Sequence, residues 1–310
     1  MQVNTVRIGT RGSPLALAQA HLVRGLLMAA HGLPEERFTI CIIKTAGDQI
    51  LDRPLSEVGG KGLFTKEIED ALTARTIDLA VHSAKDMSTK LPDGLAIGAV
   101  LDREDVRDAF ISLKFGSLAD LPSGAVVGTS SLRRQAQIKR TRPDLQVVGF
   151  RGNVQTRLAK LEAGVADATF LAVAGLKRLG QAERITRMVP VEEMLPAVAQ
   201  AAIAIEIRAE DTTTRELVAK LDHGPTAICL EAERAFLGRL DGSCRTPIAG
   251  HALVANGRLG LTGQVLLPDG SKAYSASKHG NAKDAQAIGL ECAEELLRMA
   301  GPEFLRRLVS

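Results

Sequence analysis

The chain has 310 residues, 45% hydrophobic and 24% charged, with a net charge of +3, a composition suited to a globular protein of two or three domains. The small net charge argues against non-specific nucleic-acid binding, and 3% aromatics with no tryptophan leave little to stack single strands on. No apolar run is long enough to span a bilayer, and the start, Met1-Gln2-Val3-Asn4-Thr5-Val6-Arg7, lacks the basic-then-apolar pattern of a secretion signal. A cytoplasmic protein with reduced thiols and no membrane partner is therefore expected.

In chain order, residues 6–9 are expected as a strand and 10–13 as a polar loop. Pro14 then opens an amphipathic helix to about residue 30, proline being favoured at the first helical position. Residues 38–44 are a second strand. Residues 45–61 form a long Gly/Asp/Lys-rich loop, and a loop of that length in a compact domain points to function or mobility. A helix over 63–74 and strands over 79–82 and 95–100 complete an α/β lobe with a largely parallel sheet.

The pattern then recurs. Ile8-Gly9-Thr10 before a helix matches Val127-Gly128-Thr129 before a helix, and Asp78-Leu79-Ala80-Val81 matches Asp167 with Leu171-Ala172-Val173. Two doubly wound α/β lobes are expected, with polar loops at the carboxyl ends of strands facing one cleft. Residues 101–106 cross outward and 197–208 return, which suggests a hinge. From about residue 221 the character changes to a helix over 226–239, strands over 248–254, 258–266 and 272–277, and a final helix over 282–300. Turns at Asn256-Gly257 and Pro268-Asp269-Gly270 separate those strands, so this part is a small α+β domain with an antiparallel sheet. The expected domains are 1–101 plus 200–218, 106–197, and 222–310.

The stretch Val126-Val127-Gly128-Thr129-Ser130-Ser131-Leu132-Arg133-Arg134 carries the most chemistry. Gly128 is expected to break a strand, and Thr129, Ser130 and Ser131 are N-cap residues for a helix over 132–139. Arg133 and Arg134 then fall in a first helical turn, where the macrodipole is already positive. Such a pair suggests an anion site lacking its anion, and Arg151 and Arg157 repeat the pattern at the next strand end. A solvated basic face is the competing explanation.

Among Cys41, Cys229, Cys244 and Cys292 there is no metal-ligand spacing, and no metal is expected. Three of them lie in apolar contexts. Cys244 sits in a Gly-Ser turn before Arg245, an exposed and electropositive setting that favours thiolate. With no partner histidine in a hydrolase-like context, it suits an attachment point better than a turnover nucleophile, unless it is a turn cysteine with no role. Lys85-Asp86 follows the strand through His82, Ser83 and Ala84, where an acid can stabilise a developing cation or move a proton. A local Lys–Asp pair would look the same, and His82 itself suits a hydrogen-bonded core position. Lys61 and Phe64, in Gly60-Lys61-Gly62-Leu63-Phe64, lack Walker spacing but can reach a cleft.

Taken together, the motifs resemble the porphobilinogen deaminase, or hydroxymethylbilane synthase, family over essentially the whole chain. The resemblance rests on Ile8-Gly9-Thr10-Arg11-Gly12-Ser13-Pro14-Leu15-Ala16, Gly60 to Phe64, Val81-His82-Ser83-Ala84-Lys85-Asp86, Gly128 to Arg134, Arg151-Gly152-Asn153-Val154, Ala172-Val173-Ala174-Gly175-Leu176-Lys177-Arg178 and Gly242-Ser243-Cys244. It implies two lobes like those of bilobal periplasmic binding proteins plus a third domain. In that domain Cys244 holds a covalent dipyrromethane cofactor through a thioether.

The implied activity adds four porphobilinogen units head to tail with loss of ammonia. Hydrolysis then releases hydroxymethylbilane for tetrapyrrole (haem) biosynthesis. The implied state is a monomer whose partners are porphobilinogen and the growing polypyrrole. Asp86 is the implied catalytic residue. Arg11, Arg133, Arg134, Arg151, Arg157, Arg178, Lys61 and Lys85 would hold carboxylates. Ser13, Ser83, Thr129, Ser130, Ser131, Gly152, Phe64 and Gln200 would complete the binding set. One departure concerns the return crossing, where the family often shows Val-Gly-Gln-Gly and this chain has Val198-Ala199-Gln200-Ala201. If those positions need positive φ, the alanines carry strain. Competing classes are a non-catalytic anion receptor, disfavoured by the Cys244 domain and the missing signal peptide, and a nucleic-acid binder.

Overall fold

A computed structural model describes residues 5–49, 62–241 and 246–309. The chain divides into two compact units, one of Met1–Asp52, Gly60–Glu104 and Ala202–Ala227, the other of Arg53–Gly59, Asp105–Ala201 and Ile228–Ser310.

The first unit contains β1 (Val6–Arg11), α1 (Pro14–His31), β2 (Phe38–Ile43), a one-turn α2 (Ala46–Gln49), α3 (Lys66–Thr73), β3 (Leu79–Ser83) and β4 (Leu95–Val100). In α1, Ala16, Gln19, Ala20, Val23 and Leu27 recur at helical spacing and form its buried stripe, Ser13 caps its start, and Gly32 ends it in the left-handed region. That stripe packs on Ile8, Leu79 and Val81. On the other face of the sheet, Ile68 and Leu72 of α3 pack on Ile77, Ala80 and Leu95.

The second unit opens with β5 (Asp108–Ile111), followed by β6 (Val126–Gly128), α4 (Leu132–Thr141), β7 (Gln146–Val148), α5 (Val154–Glu162), β8 (Ala168–Ala172), α6 (Val173–Arg178) and β9 (Arg187–Val189). The chain then returns to the first unit as β10 (Ile203–Arg208) and α7 (Thr212–Ala219).

The two five-stranded sheets share one plan, β2-β1-β3-β10-β4 and β7-β6-β8-β5-β9. In each, the first three strands are parallel and the fourth runs antiparallel to both neighbours. The sheets are thus mixed rather than largely parallel. The antiparallel strands, β5 and β10, are the ones that follow a crossing directly, without the helical crossover that parallel neighbours require. Neither was distinguishable from a linker by local pattern alone.

After α8 (Gly224–Arg239), β11 (Ile248–Ala255), β12 (Arg258–Leu266) and β13 (Ala273–Asn281) form an antiparallel sheet, and α9 (Ala285–Val309) follows, interrupted by a non-helical Gly301 at φ 74°. Leu261, Val265, Phe236, Cys292 and Leu296 are buried there. The β12–β13 turn rests on α4. Gln135 donates to the Pro268 carbonyl at 3.3 Å, and a methyl group at Gly270 would meet the Arg140 nitrogen at 2.4 Å. Among the described residues no helix is long and apolar enough to cross a membrane.

Candidate active site

In the first unit the expected residues gather at the carboxyl ends of β1 and β3. Arg11 ends β1. Its guanidinium pairs with Asp48, lies 4.2 Å over the Phe64 ring, and stands 4.0 Å from Asp86 Oδ2. Burial pushes the Asp48 carboxyl up, but hydrogen bonds from Arg11 and Thr45 outweigh it and hold the group below the usual carboxylate range. Asp86 occupies a single 3-10 turn, Ala84–Asp86, directly after β3, and its carboxylate is 31% exposed. Lys85 beside it is half-buried. Ser83 exchanges hydrogen bonds with the amide of Gln19, at 2.9 and 3.1 Å. Ser13 accepts from the Ala16 N–H as the cap of α1. Lys61 lies outside the described residues, as does Cys244.

In the second unit the loops after β6 and β7 are bound to each other. The Phe150 N–H donates to Ser130 Oγ at 2.9 Å, and Thr129 N–H to the Val148 carbonyl at 2.9 Å. Ser131 caps α4 by accepting from the Arg134 N–H. Gly128 does not break β6 but ends it. A Cβ there would come within 2.5 Å of the Phe150 ring, so the close approach requires glycine. Gly152 has φ 121°, and a Cβ would meet Thr156 at 2.6 Å. Arg157 donates to the Gly152 carbonyl, and Lys160 to that of Arg151. Arg151, Gly152, Arg157, Ser130 and Ser131 all keep partial exposure.

Arg133 and Arg134 require a correction. They are only 4% and 5% exposed, and their anion is internal. Arg133 Nη2 donates to Asp108 Oδ2 at 2.7 Å, and Arg134 donates to Asp108 Oδ1 through Nε and Nη2 at 3.2 and 2.7 Å. Their remaining contacts include the Leu195 and Phe170 carbonyls. Burial pushes the Asp108 carboxyl up, yet the two guanidiniums hold it far below its ordinary value. Two arginines against one aspartate leave a single net positive charge. Arg133 Nε is buried without a hydrogen-bond partner.

Gln200 belongs to the same cluster. It is fully buried and donates to Asp108 Oδ1 at 3.0 Å and to the Val106 carbonyl at 2.7 Å, so it shapes the site from behind rather than facing a ligand. Arg178 donates to the Ala201 carbonyl at 2.6 Å.

The residues missed at the sequence level, Asp48, Gln19 and Asp108, each carried a signal. Gln19 is polar on the buried stripe of α1, and Asp108 is a charge opening an apolar strand. Asp48 stands three residues after Thr45, whose hydroxyl donates to it. None of these signals names a partner, because the partners are 64, 25 and 37 residues away.

Comparison with known proteins decides the family. Its dipyromethane cofactor binding domain model, under porphobilinogen deaminase, matches residues 6–216, and its C-terminal domain model matches residues 227–298. The chain belongs to the porphobilinogen deaminase family. It is 59% identical over 301 residues to a porphobilinogen deaminase of Paracoccus denitrificans, covering 97% of this chain and 96% of that one. It is 56% identical over 297 residues to one of Nitrobacter winogradskyi, covering 96% and 94%. Among solved structures, a putative methionine-binding lipoprotein from Bacillus subtilis aligns at 12% identity and TM-score 0.44, covering 70% of this chain and 90% of that one.

The side chains suit a dipyrromethane. In the first unit, the half-buried Lys85 and the Asp86 carboxyl beside Arg11 are the complement of a ring chain bearing carboxylates outside and N–H donors within. The unpartnered Arg133 Nε, in a cluster of net positive charge, favours the same kind of ligand.

Proposed function

We propose that this protein is a transferase that condenses four porphobilinogen units head to tail on a covalent dipyrromethane. Each condensation releases ammonia, and hydrolysis finally frees hydroxymethylbilane for tetrapyrrole biosynthesis. When bound, the dipyrromethane supplies the primer from which the chain grows. The observation that carries this reading is the pairing of family membership with a half-exposed Asp86 beside Arg11 at the end of β3.

Asp86 accepts hydrogen bonds from pyrrole N–H groups and stabilises the positive charge that develops on a reacting ring. It is also placed to take up a proton. Arg11, Lys85, Arg151 and Arg157 bind ring carboxylates, and charged hydrogen bonds of this kind contribute about 1.5–3 kcal/mol each where water is partly excluded. The Phe64 ring attracts the Arg11 guanidinium that lies over it, and Asp48 fixes its direction. Thr129, Ser130 and Ser131 shape the loop that presents them.

Cys244 is the proposed attachment point. Among the described cysteines, Cys229 is buried, burial raises Cys41 above its ordinary value, and burial pushes Cys292 up to about 11. None of these favours a thiolate.

Intact-mass spectrometry tests the assignment. The purified protein is expected to carry a dipyrromethane-sized adduct that is absent from Cys244→Ser. A fully active protein with unmodified mass overturns it. Asp86→Ala is expected to retain the adduct and fold while nearly abolishing ammonia release from porphobilinogen. Wild-type turnover in that variant removes Asp86 from the chemistry.

A further inference from the structure

Behind the Asp86 turn lies a buried ionisable cluster that the proposed chemistry does not use. His82, on β3, precedes Asp86 by four residues. Its Nε2 lies 3.0 Å from Glu206 Oε2 on β10, with the two side chains 3% and 0% exposed. Glu206 sits opposite Ala80 and Ala204 opposite His82, so both ionisable side chains leave the sheet on the Ala80 face, which α3 covers. From α3 comes Glu69, 7% exposed and within electrostatic reach of both. Glu206 Oε1 is buried without a hydrogen-bond partner, and Thr65, one turn before Glu69 at the start of α3, places its hydroxyl beside the Glu69 carboxyl.

An apolar trio would hold these elements together with less desolvation. What a directed imidazole–carboxyl hydrogen bond adds is orientation. The ladder between β3 and β10 ends at Ser83 and Ile203, and the Ala84 N–H still reaches the Ala202 carbonyl at 3.0 Å. Immediately beyond, Lys85 and Asp86 leave the sheet. The twist of this strand end therefore sets where the Asp86 carboxylate points.

On the reading of Asp86 as the catalytic carboxylate, we propose that Glu206 is a positioning residue that fixes, through His82, the strand end carrying Asp86. Glu69 is the member whose neutral form burial favours. If both carboxyls and the imidazole were ionised, a net negative charge would sit away from water. Burial raises the Glu69 carboxyl above its ordinary value; the neighbouring Thr65 hydroxyl and the His82 ring oppose this, and Glu206 and Asp70 add to it. Among the described residues, the other charges on the packed elements have partners of their own. Arg208, two residues beyond Glu206 on β10, is bound to Asp211 and to the Leu72 and Ile77 carbonyls. Arg7 and Arg11 of β1 are bound to Asp78 and Asp48, β4 carries no charged side chain, and Asp70 is paired with Lys66.

The test uses the full chain with its cofactor, comparing Glu206→Gln and Glu69→Gln by steady-state kinetics, intact mass and thermal unfolding against pH. Glu206→Gln is expected to lower kcat about tenfold with KM within about twofold and adduct loading unchanged. Wild-type kcat, or a loss matched by lost adduct, overturns the proposal. Should that variant not fold, Glu206→Asp replaces it under the same criteria. Glu69→Gln tests the second part of the proposal through stability against pH.

A carboxyl raised in the folded state stabilises least at high pH, so the wild-type melting temperature should fall as pH rises from the ordinary carboxylate range through the raised value. Glu69→Gln should lack that fall, and parallel curves overturn the role given to Glu69. This stability measurement does not depend on Asp86, so a failure of the catalytic reading would remain distinguishable.

Discussion

Asp108 carries one charge and receives hydrogen bonds from Arg133, Arg134 and Gln200. Removing that charge would leave two guanidiniums buried against each other with no counter-ion. Asp108→Asn is therefore expected to destabilise the protein by about 3–5 kcal/mol, the range for breaking a buried ion pair from one side, measurable by denaturant unfolding. A loss below about 1 kcal/mol would show that water or backbone carbonyls replace the carboxylate. Arg133 and Arg134 were visible in the sequence as cations at a helix start, but what they faced was not. Their partner lies 25 and 26 residues earlier, on a strand whose place in the sheet follows from the crossing.

At the scale of elements, the return crossing is the unusual one. Ala199 and Ala201 both hold positive φ, 62° and 73°. The left-handed region costs an alanine about 1–2 kcal/mol relative to its preferred backbone. Three interactions hold the segment there. The Ala199 N–H donates to Glu233 Oε2 at 2.6 Å, Gln200 binds Asp108, and Arg178 binds the Ala201 carbonyl.

Replacing either alanine with glycine relieves the strain but loosens the unfolded chain and removes a buried methyl. A net gain of about 0.5–1 kcal/mol is expected, to be read from paired denaturation curves. A loss in both variants would mean that methyl packing dominates. The sequence pointed to this position by departing from the family's glycines. By contrast, α1, β4 and α8 were legible from periodicity and caps, because their determinants are local.

At the scale of the whole molecule, stability should be acid-sensitive in a defined sense. Burial raises Asp48, Asp78, Asp108 and Asp211, but neighbouring arginines, and in Asp211 first the Thr214 N–H, outweigh it. The Arg107 bond likewise outweighs burial at Asp105, and all five are held below the ordinary carboxylate range. Their contribution is fully present above the unfolded carboxyl range and is lost as pH falls through the lowered folded values. These aspartates are therefore expected to lower the melting temperature steeply only below the ordinary carboxylate range, at lower pH than the gain on acidification expected from Glu69, and a drop beginning at neutral pH would contradict this.

The sequence by itself determined the elements with strong local signals, the doubled lobe plan and the family, and it nominated Asp86 and Cys244. These rest on local periodicity, capping and contiguous motifs. The tertiary structure alone decided that β5 and β10 run antiparallel and that Arg133 and Arg134 face Asp108. It also decided that Glu206 meets His82 behind Asp86. Those outcomes depend on contacts between residues far apart in the chain, and a buried charge does not reveal its partner until the backbone has brought the two together.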